Sequence, residues 1–335
     1  MIAFWLLNVD VDFSLRFVVL IFPIPLRELR SRLFPLCLLL LMLPNHLKAV
    51  QAEQPVAGSL RPEETEQLVL SKWMKRLPQN VLLSNLSIPG THDSGALHNG
   101  LSFGFARCQT LTLREQLDSG VRFLDIRCRH QRDRFQIYHG IINQRISFAQ
   151  VIRVCEEFLD DNPNEILLMS VKEESTSEEI TRDFQATFIA EIAPSRDRWC
   201  IAEVNPSVGD VRGRIVLVDR VGKLGGLDWN KMNLQDDYQT LPEIKKRKIA
   251  KHFDASRGGD SDQWFLNYCS GTVPSRLINP ESYASQINPF LLEQIKARQG
   301  HRLGVVIMDF PSQEIIEAIV MSNRFLRELS VDVAR

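Results

Sequence analysis

The sequence predicts one α/β domain built as a (β/α)8-like, TIM-type barrel. Three observations carry this. Eight short apolar runs read as strands, at 81–88, 121–126, 135–138, 166–171, 215–218, 232–234, 264–268 and 303–308. Helix-like segments at 111–117, 148–160, 177–192, 242–253, 280–298 and 313–329 sit between several of them, in one pattern without a break. Finally, the chemically capable side chains fall where these runs end, which in a parallel barrel is the face that carries the chemistry.

Composition bounds the rest. With 335 residues, 44% hydrophobic and 24% charged, the chain has enough apolar content for one large core and none of the bias of a disordered or fibrous protein. Its formal charge is −1. Residues 1–52 carry five Lys/Arg and three Asp/Glu, which leaves 35 basic against 38 acidic residues and −3 on the remainder. That balance offers no basic footprint for nucleic acid, so none is expected as a partner.

Residues 1–52 have the layout of a secretory leader. Arg27, Arg30 and Arg32 precede an apolar run at 33–43, and the small-residue end Val50-Gln51-Ala52 follows. The stretch before Arg27 is also apolar but is interrupted by Asp10, Asp12 and Arg16, leaving an upstream extension or a membrane anchor as alternatives. Cys37 lies in this leader. Cys108, Cys128, Cys155, Cys200 and Cys269 are odd in number and irregularly spaced, which excludes a zinc framework and favours buried free thiols, with one or two disulfides as the alternative in an exported protein. Residues 53–80 read as a loop followed by a helix with Leu68, Leu70 and Trp73 at helical spacing, suited to covering one end of a barrel that occupies 81–335.

The strand ends carry a consistent set of groups. The first run leads into His92 and Asp93, the second ends in Asp125 and Arg127, and the third in His139. Lys172 ends the fourth, Asp219 and Arg220 the fifth, Asp236, Asp237 and Tyr238 follow the sixth, Asn267 and Ser270 belong to the seventh, and Asp309 ends the eighth. One ionic residue at a strand end is ordinarily a solvated terminus. A whole rim of them is not. Two histidines in such a set suit a reaction in which one group takes a proton while another gives one near neutral pH.

Five segments carry a resemblance. They are Ser87-Ile88-Pro89-Gly90-Thr91-His92-Asp93-Ser94, Arg122-Phe123-Leu124-Asp125-Ile126-Arg127, Tyr138-His139-Gly140, Asn162-Pro163-Asn164-Glu165 with Ser170-Val171-Lys172, and Gln235-Asp236-Asp237-Tyr238. In this order, from about Leu82 to Phe310, they resemble the bacterial phosphatidylinositol-specific phospholipase C family of the metal-independent, X-domain type. The resemblance implies an imperfect (β/α) barrel, so a distorted or incomplete closure is expected. It also implies an enzyme that produces diacylglycerol and a cyclic inositol 1,2-phosphate, by attack of the inositol 2-hydroxyl on its own phosphodiester.

By the same resemblance His92 is the general base, oriented by Asp309, and His139 is the acid for the departing glycerol oxygen, with Asp93 hydrogen-bonded to it. Arg127 binds the phosphate where calcium-dependent relatives hold their ion, which implies no metal and no cofactor. Lys172, Arg220, Asp236 and Asp125 contact the headgroup and Tyr238 packs on the ring. The bland readings are that Arg220 and Asp236 are ion partners and Tyr238 is core. Asp219 and Asp237 read as bystanders, and His98, His130, His252 and His301 as surface or helix-terminal groups. The implied partner is phosphatidylinositol, or a glycosylated inositol lipid, at a membrane surface outside the cytoplasm. Leu97, Leu101, Phe103 and Phe105, and the loop 224–229, are candidates for inserting there or for packing on the barrel. No symmetric interface is legible, and a monomer is expected. The alternatives are a metal-dependent phosphodiesterase on the same scaffold, with Asp93, Asp125, Asp236 and Asp309 as an oxygen-rich site, or a catalytically weak lipid-binding protein.

Overall fold

A computed structural model describes residues 69–324 and 326. The expected leader, Cys37, the start of the covering segment and the last residues of the final predicted helix lie outside them. No helix among the described residues is long and apolar enough to cross a membrane.

In chain order the elements are β1 (Ile88–Thr91), α1 (Leu113–Asp118), β2 (Phe123–Gln131), β3 (Arg134–His139), β4 (Ile142–Ser147), α2 (Phe148–Asp161), β5 (Leu167–Glu173), α3 (Phe184–Ile192), β6 (Trp199–Cys200), β7 (Ile215–Asp219), β8 (Leu227–Asp228), β9 (Asn233–Gln235), α4 (Pro242–Gly258), β10 (Phe265–Tyr268), α5 (Pro280–Lys296), β11 (Val305–Met308) and α6 (Gln313–Val320). Eight strands form a curled sheet in the order β6-β7-β5-β2-β1-β11-β10-β9, and every neighbouring pair is parallel. No ladder among the described residues joins β9 to the far edge, so the barrel is incomplete, as expected.

Alternation along the strands sorts the core into two layers. Phe123, Leu168, Val216, Leu266, Val305 and Ile307 belong to the interior cluster. Their sequence neighbours Leu124, Leu167, Met169, Ile215 and Leu217 pack outward with α2 and α3, and Val306 and Met308 with α4, α5 and α6. Gly90 is required by this curl, because a Cβ there would lie 2.9 Å from Phe123 Cβ.

The base of the barrel is closed by a 3-10 helix over Leu70–Arg76, not the α-helix its spacing suggests, with Trp73 and Met74 buried in the interior cluster. Two motif residues serve here. Arg122 and Glu165, both fully buried, pair at 2.7 Å, and Glu165 also accepts from the backbone of Met74 and Lys75. Removing one partner of such a pair strands a buried charge at a cost of about 3–5 kcal/mol.

Three expectations need correction. The run 135–138 is not a stave of the barrel. It lies in β3, antiparallel to β2 and β4, because β2 overshoots the rim and returns through Arg132 and Asp133, both at positive φ, as a two-residue hairpin demands. The missing stave is β6, only two residues long and too short to carry a pattern. Of the run 81–88 only Ile88 is strand, since Leu83–Asn85 form a 3-10 turn that buries Leu83 and Leu86 beneath the barrel. The helix predicted at 177–192 starts at Phe184, where Asp183 caps the Ala186 N–H. The preceding residues run beside the hairpin instead, with Glu178 bridged to Gln131.

Candidate active site

The inward positions of the parallel strands change character toward their carboxyl ends. On β2 the sequence runs Phe123, Asp125, Arg127, and on β5 Leu168, Ser170, Lys172. On β7 it runs Val216, Val218, Arg220, and on β11 Val305, Ile307, then Asp309. The same two-residue period that fills the core therefore aims the ionic groups into the mouth.

His92 follows β1 and is fully buried. Its Nδ1 lies 2.8 Å from Asp309 Oδ1 and its Nε2 lies 2.7 Å from Arg127 Nη2. Arginine only donates, so Nε2 accepts and Nδ1 carries the proton toward Asp309. Burial first, and then the Arg127 charge, hold the imidazole well below its ordinary pKa. Gln109 Nε2 donates to the His92 and Met308 carbonyls, pinning the ends of β1 and β11 together.

Asp93 occupies a positive-φ turn immediately after His92. Its Oδ2 is 3.0 Å from His139 Nδ1 and 3.7 Å from Arg127 Nε, but neither approach has hydrogen-bond alignment, and both carboxylate oxygens are buried without a hydrogen-bond partner. His139 ends β3, and the two histidine rings face each other at 6.5 Å, nearly perpendicular. The hairpin thus brings His139 back to the rim from outside the barrel.

Arg127 donates to Asp125 Oδ2 from Nη2 at 3.1 Å and from Nε at 3.3 Å. Asp125 also receives Arg220 Nη1 at 3.3 Å. Although burial raises the Asp125 carboxyl, the two guanidiniums outweigh it and hold the group well below the usual carboxylate range. Arg220 reaches Asp236 at 3.2 Å and stacks 4.1 Å over Trp229. Tyr238 lies half-buried against His92, with ring centroids 5.3 Å apart. Lys172 donates to Glu174 Oε2 at 2.6 Å, while Glu174 Oε1 accepts the Gly140 N–H.

All ten residues expected from the sequence therefore lie in one connected mouth. The ion-partner reading of Arg220 and Asp236 also holds, since they touch. Asp219 is a loop anchor that accepts four backbone N–H groups between Val221 and Gly225, and Asp237 pairs with Lys248. His130 and His252 are buried structural groups rather than surface ones, bonded to Thr187 and to the Asn233 carbonyl. Trp229 and Leu224 pack inward, so the 224–229 loop offers no apolar edge, whereas Leu101 and Phe103 are 94% and 92% exposed. Leu97 and Phe105 are only half-buried.

Sequence reasoning missed Cys108, Gln109, Glu174 and Tyr268, whose ring lies 6.2 Å from that of His92 and whose hydroxyl accepts from Arg220 Nη1 at 3.4 Å. Glu174 had a signal, being two residues beyond Lys172 and so on the same face. Cys108 and Gln109 had none, because the β1–α1 loop has no period. All five described cysteines are free thiols, and all but Cys200 are buried. The four aspartates do not form an oxygen-rich cage among the described residues. The groups close enough to hold an ion are His92, Cys108 and Asp309, and Asp93, Cys108 and His139.

A binding module has no use for two proton-transfer groups flanking a guanidinium, and this rim is that of a barrel enzyme acting on a phosphate ester. Known proteins point the same way. Residues 83–221 match the family described as phosphatidylinositol-specific phospholipase C, X domain. The 1-phosphatidylinositol phosphodiesterase of Listeria monocytogenes is 30% identical over 280 residues, covering 76% of this chain and 85% of that protein. The Staphylococcus aureus protein of the same name is 28% identical over 293 residues, covering 75% of this chain and 94% of its own length. The solved Listeria phosphatidylinositol-specific phospholipase C superposes with a TM-score of 0.66 at 27% identity, over 76% of this chain and 99% of that one. A Staphylococcus aureus structure, with a TM-score of 0.70 at 24% identity over 76% of this chain and 98% of that one, shares the fold. This chain belongs to the phosphatidylinositol-specific phospholipase C X-domain family.

Proposed function

We propose that the chain is a phosphatidylinositol-specific phospholipase C that cleaves the glycerol–phosphate ester without a metal cofactor. The observation that carries this is the pair of histidines across the mouth, one with an accepting Nε2 and one beside Asp93, with Arg127 between them. The inositol 2-hydroxyl takes Arg127's place on His92 Nε2 and loses its proton there, and its oxygen attacks the phosphorus. The bond to the glycerol oxygen breaks as that oxygen takes a proton from His139. The products are diacylglycerol and inositol 1,2-cyclic phosphate. Reversing the two roles lets water open the ring slowly. Because the nucleophile belongs to the substrate, its entropic cost is already met.

Arg127, freed from Nε2, supplies the guanidinium for the phosphate oxygens. Its charge already sits between Asp93 and Asp125, where a cofactor cation would have to displace it. Asp309 orients His92 and stabilises the imidazolium. Lys172, Arg220, Asp236 and Asp125 present donors and acceptors at fixed angles to a polyhydroxylated ring, which stacks on Tyr238. Leu101, Phe103, Ile141 and Leu277, exposed on neighbouring rim loops, suit shallow insertion into a bilayer. The setting we propose is outside the cytoplasm, after removal of the leader.

The test is release of cyclic inositol phosphate from phosphatidylinositol vesicles in excess chelator. Product that survives chelation and is abolished by His92→Ala and by His139→Ala is expected. A requirement for added calcium overturns the metal-free part, and absence of product from any inositol lipid overturns the substrate assignment.

A further inference from the structure

Cys108 has no part in the reaction described above, yet its thiol is fully buried between the two histidine–aspartate pairs. Its Sγ lies 3.5 Å from His139 Nδ1, that nitrogen lies 3.0 Å from Asp93 Oδ2, and all three atoms fall within 4.8 Å of one another. Thiolate, imidazole and carboxylate bound to one zinc at tetrahedral angles would be roughly 3.4–3.6 Å apart. The geometry thus stands within a side-chain adjustment of a three-ligand site.

A second observation points the same way. Both oxygens of Asp93 are buried with no hydrogen-bond partner, and one of them, Oδ2, is aimed at His139 Nδ1. Buried carboxylate oxygens are ordinarily satisfied, so this pair is short of a ligand.

We infer that Asp93, Cys108 and His139 form an inhibitory site for a zinc-class divalent cation. Thiolate and imidazole together select a borderline-soft ion over calcium or magnesium. Carboxylate and thiolate neutralise the dication, which makes it tolerable beside Arg127, and loading releases the Cys108 proton to solvent. The ion enters at His139, whose side chain is 16% exposed while Asp93 is fully buried. The other trio, through the same thiol, competes poorly, because His92 Nδ1 and Asp309 Oδ1 already hold each other at 2.8 Å. An ion on His139 Nδ1 takes the lone pair on which the imidazolium is built, so the ring can no longer form the cationic acid that protonates the leaving group, and loading stops turnover. The inhibition rests on the proposed function; the binding does not.

The experiment adds cobalt(II), then zinc, to chelator-stripped full-length protein, alongside Cys108→Ser and Cys108→Ala. Wild type should show a thiolate-to-cobalt charge-transfer band that zinc displaces, and both variants should lack it. Zinc should slow cyclic inositol phosphate release about tenfold or more in wild type and less than about twofold in the variants. The zinc effect is read in each protein against its own chelator-treated rate, so a change of basal activity from altering a neighbour of His139 cancels. X-ray absorption of zinc-loaded wild type needs no variant and should show one sulfur ligand. A sulfur-free zinc shell, no cobalt–thiolate band in wild type, or zinc inhibition equally strong in the variants overturns the site. If no inositol lipid is cleaved at all, the band and the absorption spectrum still decide it.

Discussion

His92 and His139 share one rim and are held in opposite ways. His92 directly follows a strand of the parallel sheet, is fully buried, and has a partner on each ring nitrogen. His139 arrives on an antiparallel hairpin outside the parallel frame, is partly exposed, and rests against Asp93 and Cys108 through one nitrogen only. The difference matches two unequal tasks. A base that must remove a poorly acidic hydroxyl proton gains from rigid placement in a water-poor pocket, while an acid that must follow a departing lipid gains from latitude.

The largest expected effect tests that inequality. His92→Ala should lower the rate by about 10⁴-fold on any inositol phosphodiester, because every substrate must lose the 2-hydroxyl proton. His139→Ala should cost about 10³-fold on the lipid but only about tenfold on a nitrophenyl inositol phosphate, whose leaving group departs without a proton. Rates of both variants on both substrates check this, and equal losses throughout would erase the distinction.

Arg127→Met should cost about 10²–10³-fold through loss of phosphate stabilisation. It should also move the pH profile. His92 must be neutral to act, and in the wild type burial and Arg127 both depress its pKa, so the acid limb of kcat/KM lies well below pH 6.5. Removing the guanidinium raises that pKa and shifts the limb to higher pH. An unmoved limb would mean that the group titrating there is not His92.

Asp309→Asn should cost about 10²-fold by releasing the His92 tautomer, with the loss falling on kcat more than on KM. On the other side of the mouth, Glu174→Gln loosens both Lys172 and the Gly140 N–H beside His139, and about a fivefold rise in KM is expected. Smallest is Phe103→Ser, expected to weaken vesicle binding about threefold while leaving cleavage of a soluble inositol phosphodiester unchanged. A sedimentation assay with vesicles, run beside the soluble assay, separates the two.

Much of this is legible in the sequence alone. The strands at 121–126, 166–171, 215–218, 264–268 and 303–308 are legible to within a few residues because they alternate between two apolar layers, and a buried strand must be apolar on both faces. The run 135–138 is a strand, as its pattern predicts, but an antiparallel one and not a stave of the parallel barrel. Pairing direction depends on a turn at Arg132 and Asp133, residues that carry no glycine or asparagine signal for positive φ. β6 is too short for any period to show. Within the mouth, residues that end strands were found, whereas Cys108 and Gln109 were not, because loop paths have no repeat to read.

The sequence by itself determined which side chains point inward and where along each strand apolar gives way to ionic, since both follow from a two-residue period written into the chain. Only the tertiary structure decided who meets whom. Asp309 reaches His92 across 217 positions, the hairpin folds His139 back to the rim, and Cys108 is set between the two pairs. Those meetings depend on the curl of the sheet and the course of its loops, which are settled by packing of the whole barrel and not by any local pattern.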